Sequence, residues 1–159
     1  MKTYLVLIIL IIFAGIACKK PSSLLPPAPK PGNPDSIDAM AITINNANWT
    51  TDSLTGVLIP LGNDSGHYNL AVTAYKQDTS SGNSELSLYI SDYKGNGIYA
   101  INPPGVSATY YKGVVRHYAI FGQIVISKDS THDIEGQFYF TADSIAGMSA
   151  TNGTFSLSL

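Results

Sequence analysis

Beyond its first 38 residues the chain alternates apolar and polar positions with period two. No window of 11 or more residues carries a helical stripe. Met40, Ile42 and Ile44 alternate with Ala41 and Thr43, and a turn at Asn45–Asn46 leads to Trp49, which predicts a first hairpin. Residues 57–61 form a short apolar strand that Pro60 confines to an edge or a bulge. Tyr68, Leu70, Val72 and Ala74 share one face of the next strand, and Leu86, Leu88 and Ile90 share one face of another. Residues 97–101 predict a short strand before a break at 103–105. Residues 106–111 and 114–126 predict one or two strands, with Gly113 and Gly122 as bulges. Ile134, Gly136, Phe138 and Phe140 alternate cleanly, and Phe155, Leu157 and Leu159 close the chain. Asn152–Gly153 is the strongest short hairpin signal present. Eight to ten strands at roughly 10-residue spacing predict an all-β fold. An antiparallel sandwich and a small closed barrel both satisfy the pattern.

The first 38 residues read differently. Fourteen of residues 1–17 are hydrophobic and Lys2 is the only charged side chain among them. A positive start, an apolar run and the small residues Ala14, Gly15 and Ala17 make a secretory signal peptide. The run is shorter than the ~20 residues of a bilayer span. The chain's one cysteine, Cys18, follows directly. The stretch resembles a bacterial lipoprotein signal, cut before a cysteine whose thiol then carries lipid. Gly15 stands where that motif usually has Leu, whereas Ile16 and Ala17 fit it. Residues 18–38 hold six of the nine prolines, so the segment after Cys18 can be neither helix nor central strand. Extended at ~3.1 Å per residue, it would reach about 50–60 Å. The organisation expected is a signal peptide over 1–17, a lipidated cysteine and tether over 18–38, and one β domain over 39–159. The lipoprotein resemblance implies a cell-envelope location, with Lys19 favouring the outer membrane and the leaflet left open.

Composition narrows the chemistry. Nine Lys+Arg without a basic cluster, in a chain of formal net charge −2, argue against nucleic-acid partners. One cysteine excludes an internal disulfide and every multi-cysteine metal site. His67, His117 and His132 lack the paired spacing of zinc ligands and are expected in exposed turns. The oxygen-rich turns at 92–96 and 129–133 depart from the calcium-loop pattern. Glu85 and Glu135 are the only glutamates, and nothing ties them together as a glycosidase pair. Neither catalytic residues nor a cofactor are expected. Arg116, the sole arginine, is expected in a surface ion pair.

The aromatic set carries the remaining signal. Tyr75, Tyr89 and Tyr139 fall opposite the apolar faces of their strands, and Tyr110 and Tyr111 are candidate ligand-binding aromatics. Asp-Ser followed by Ile, Leu or Thr occurs four times, at Ser36, Ser53, Ser130 and Ser144, where composition alone predicts fewer than one. It resembles the O-glycosylation sequon of exported proteins in one bacterial group, although Asp-Ser is also a favoured turn pair.

The run Gly122-x-Ile124-x-Ile126, then Ile134-x-Gly136-x-Phe138-x-Phe140, then Thr151-Asn152-Gly153-x-Phe155 resembles a family of small Bacteroidota-type lipoproteins of unknown function. The hairpin around Trp49 is similar to that family too. The resemblance implies envelope location and a β fold, and it brings no catalytic residues. The function expected is a non-enzymatic, lipid-anchored binding or structural domain, with a membrane partner through Cys18 and a protein or glycan partner. The alternative is a glycan-binding accessory lipoprotein of a polysaccharide-uptake system.

Overall fold

The computed structural model describes residues 38–62, 66–80, 82–142 and 147–159. Cys18, Ser36, Ser144, the signal segment and the tether lie outside the described residues. Ten strands account for most of the rest: β1 (Ala39–Ile44), β2 (Ala47–Thr50), β3 (Ser53–Pro60), β4 (Tyr68–Lys76), β5 (Ser84–Tyr93), β6 (Gly97–Ala100), β7 (Val106–Lys112), β8 (Val115–Asp129), β9 (Asp133–Ala142) and β10 (Met148–Ser158). Every pairing is antiparallel, in the order β2-β1-β10-β9-β8-β7-β5-β4-β3, with β6 on β8.

β2 and β3 stand at opposite ends of this order, yet only Thr51 and Asp52 separate them in sequence. The sheet therefore has to curl until its two edges meet. Thr51 donates its N–H to the Met40 carbonyl at 3.0 Å, on the β1 side. Asp52 donates to the Tyr75 carbonyl at 2.9 Å, on the β4 side. Two consecutive residues thus staple the edges together, and the sheet forms a half-barrel around one core. β8 is the hinge of the other side. Its residues 115–118 pair with β7, and residues 123–126 pair with β6 while its length from Ala119 runs along β9.

The period-two pattern places the core. Leu70, Val72 and Ala74 of β4 oppose Ile90, Leu88 and Leu86 of β5, and all six are buried. Each such Leu, Ile or Val side chain contributes about 1.5–3 kcal/mol on burial. Ile124, Ile134, Phe138, Phe140 and Leu157 fill the other half.

The motif glycines have a packing cause. Gly136 opposes Phe155, and a Cβ there would lie 2.6 Å from that ring. Gly153 opposes Phe138, with the same conflict at 2.7 Å. Gly122 opposes Phe140, where β9 backbone leaves no room for a side chain. Each inward phenylalanine therefore lies across from a residue with no side chain, as in aromatic cover of strand glycines. The motif encodes packing.

Two turn expectations change. Asn152–Gly153 makes no hairpin: it sits inside β10 as a bulge, where the register with β9 slips between Ala150 and Gly153. Asn152 takes φ 54°, a left-handed conformation that serves a bulge as well as a turn. Asn45 and Asn46, both at positive φ, make the type I′ hairpin instead. Gly113 (φ 60°) is likewise no bulge; with Val114 it forms the two-residue turn between paired Lys112 and Val115.

Candidate binding face

Strands β3, β4, β5 and β7 and the first residues of β8 present an outer face whose rows follow from register. One row runs Ser53, Tyr75, Glu85, Tyr111, Arg116. The next runs Thr55, Thr73, Ser87, Thr109, Tyr118. The alternate positions, Ala74, Leu86 and Tyr110 among them, are buried, so these rows face outward.

Arg116 ends the first of these rows. Its guanidinium carbon lies 4.4 Å from the Tyr111 ring centroid and 5.4 Å from that of Tyr118. Its Nη1 donates to the Tyr118 hydroxyl oxygen. That oxygen holds the guanidinium pKa above its ordinary value. The expected surface ion pair is not formed: among the described residues Arg116 has no carboxylate within ion-pair distance. The nearest acid in its row, Glu85, lies beyond Tyr111 and accepts from Ser87 Oγ at 3.1 Å. The reason is positional, since the strand register puts an aromatic ring, not an acid, beside the arginine.

Tyr110 and Tyr111 do not act together. Consecutive strand residues point to opposite faces, and Tyr110 is turned into the core at 6% exposure. Its ring meets Trp49 edge-on at 6.4 Å and stacks on His117 at 6.1 Å. Burial pushes its hydroxyl pKa up. Tyr110 is thus a core residue and not a ligand-binding aromatic, whereas Tyr111 belongs to the face. Trp49 Nε1 donates to Ser84 Oγ at 2.8 Å, and Ser84 is the one buried polar residue among those described. His117 is no turn residue. It lies on β8 with Nδ1 buried, whereas His67 and His132 are exposed.

The other candidates fall elsewhere. Ser53 heads β3 and is exposed, and the preceding Asp52 accepts from the Gln77 N–H at 2.8 Å. Ser130 is exposed, and its hydroxyl closes the turn by bonding Asp133 backbone. Two carboxylates of the oxygen-rich turns are engaged locally: Asp92 meets His67 and Lys94, and Asp133 meets Lys128. Glu135 also pairs with Lys128. Among the described residues no group of three or more His, Cys, Asp or Glu side chains could hold a metal ion.

The Tyr111–Arg116–Tyr118 cluster has a local sequence signal. Reading Gly113–Val114 as a two-residue turn places Tyr111 opposite Arg116, and Tyr118 lies two residues on, on the same face. No protein-family model, curated protein or solved structure matches the chain.

Proposed function

We propose that the chain is a lipid-anchored, non-enzymatic binding domain of the bacterial cell envelope, which engages its partner through the outer face that carries Arg116. The observation that carries this is the arginine itself. It is exposed, unpaired with any described carboxylate, and held in place by two tyrosine rings. A cation fixed in place without an internal carboxylate is suited to an external one. The anchor rests on the signal-like segment and Cys18.

A photo-crosslinking amino acid at position 111, in cells, tests the binding role, with position 139 on the β9 side of the barrel as control. A discrete adduct from 111 and none from 139 is expected. Absence of an adduct from 111 would contradict the assignment.

The second reading, a glycan-binding accessory lipoprotein, is favoured by one feature of the same face. A row of hydroxyl side chains, Thr55, Thr73, Ser87 and Thr109, lies beside the tyrosine row. Tyrosine rings and hydroxyls together suit the apolar faces and hydroxyls of sugars.

A further inference from the structure

We infer that Arg116, held between Tyr111 and Tyr118, is the carboxylate-recognition point for an acidic polysaccharide lying across the outer face. The inference rests on the glycan-binding reading above and names its ligand class.

The geometry of Arg116 suits one carboxylate. A guanidinium is planar and carries five N–H donors in a fork that matches a carboxylate in bidentate fashion. Its ring contacts restrict it before any ligand arrives, which lowers the entropy lost on binding. Contacts with the Tyr118 and Tyr111 hydroxyls take up part of the fork and leave its remaining N–H donors to an external group.

The surroundings suit sugars more than protein. A protein interface has an apolar centre and a polar rim. Here the hydroxyl side chains Thr73, Ser87 and Thr109 run along the middle strands, and the exposed apolar side chains lie on the flanking strands, Val57 and Ile59 on β3 and Val115, Ile120 and Phe121 on β8. Tyr75 and Tyr111 are separated by β5, so their backbones lie about 10 Å apart across two strand spacings. That is the length of a disaccharide unit in an extended chain.

Charge complementarity decides for a carboxylated chain, whose charges are spaced more widely than the phosphates of a nucleic-acid duplex. One arginine on the face, Glu85 in the same row and a formal net charge of −2 are a poor match for densely charged phosphate polymers or anionic lipid. Glu85 is about two strand spacings, ~10 Å, from Arg116, close to a Debye length at physiological salt. It repels a carboxylate at Arg116 weakly.

The test is affinity electrophoresis of the full chain in detergent, through gels holding polygalacturonate, methyl-esterified pectin or dextran. Polygalacturonate is expected to retard the chain. Esterification, which removes the charge and keeps the rings, should weaken binding roughly tenfold. Arg116→Ala should weaken polygalacturonate binding by about the same factor and lose the distinction between the two polymers, while Arg116→Lys should restore part of it. Unchanged Trp49 fluorescence shows that the variants are folded. Equal retention by esterified and free polymer would overturn the inference, as would unchanged retention of Arg116→Ala. Dextran retention that is insensitive to Arg116 also overturns it, yet supports glycan binding. Lack of retention on every polymer, with a position-111 adduct still formed in cells, refutes the glycan ligand and leaves the binding face standing. Lack of both refutes both.

Discussion

Phe155 of β10 lies directly opposite Gly136 of β9, and its ring occupies the space that a side chain on Gly136 would need. Gly136→Ala must displace that ring from a packed core, since Phe155 is only 4% exposed and lies 6.3 Å from Phe138. A loss of about 1–3 kcal/mol is expected in urea unfolding, and Gly153→Ala should behave alike. Gly122→Ala should cost more, because the Tyr139 carbonyl approaches its Cβ position more closely than any atom does at Gly136 or Gly153, and its φ is 149°. Gly62, with open space around it, should cost only about 1 kcal/mol for its left-handed φ. Equal stability of the Gly136 and wild-type proteins would contradict the packing role.

Neighbouring tyrosines should separate cleanly. Tyr110→Ala removes a buried ring that touches Trp49 and His117 and should cost about 3–5 kcal/mol. Tyr111→Ala should leave thermal stability within about 0.5 kcal/mol plus its share of the Arg116 stacking, and should lower partner binding. Parallel thermal unfolding of the two variants checks this; similar losses would place both rings in the core.

The Trp49–Ser84 hydrogen bond ties β2, at one end of the strand order, to β5 near the other. Ser84→Ala leaves a buried indole N–H without its acceptor and should cost about 1–3 kcal/mol. Trp49 emission should shift as its surroundings change. Urea unfolding followed by tryptophan fluorescence reads both effects together, and wild-type stability would show that the indole finds another acceptor.

How much of this was legible in the sequence follows from the range of each interaction. Strands such as β4, β5 and β9 are read directly from the alternation of Leu70–Ala74, Leu86–Ile90 and Ile134–Phe140, because a half-buried strand imposes period two. The half-barrel is not legible. It depends on Thr51 and Asp52 bonding to Met40 and Tyr75, and nothing local marks a two-residue link as the join between opposite edges. Asn152–Gly153 shows the opposite failure: a correct local signal for positive φ whose use, bulge or turn, is set by the paired strand. For the candidate face, the outward tyrosines followed from alternation. The partner of Arg116 did not, because it is a ring across a hairpin rather than an acid.

A pH dependence follows from Asp92. His67 first, and then Lys94, hold its carboxyl below the ordinary value of 3.8. A depressed carboxyl stabilises the fold above its unfolded pKa, and that contribution is lost as pH falls through the folded value. Asp92→Asn keeps a residue tolerant of the left-handed φ of 51° found here. Its melting temperature should lie slightly below wild type at pH 6 and converge with it as pH drops below about 4. A gap that widens with acid would contradict the assignment. The effect should be small, because both Asp92 and its partners are about half exposed or more.

The most direct measurement is an amide NMR titration of the isotope-labelled full chain in detergent with polygalacturonate oligomers. The shifts are expected to concentrate on residues 107–118, together with Tyr75 and Glu85 across the rows, and to disappear in Arg116→Ala. Shifts centred instead on the turns at 94–97 and 129–133, or a set unchanged by the Arg116 substitution, would contradict the binding face.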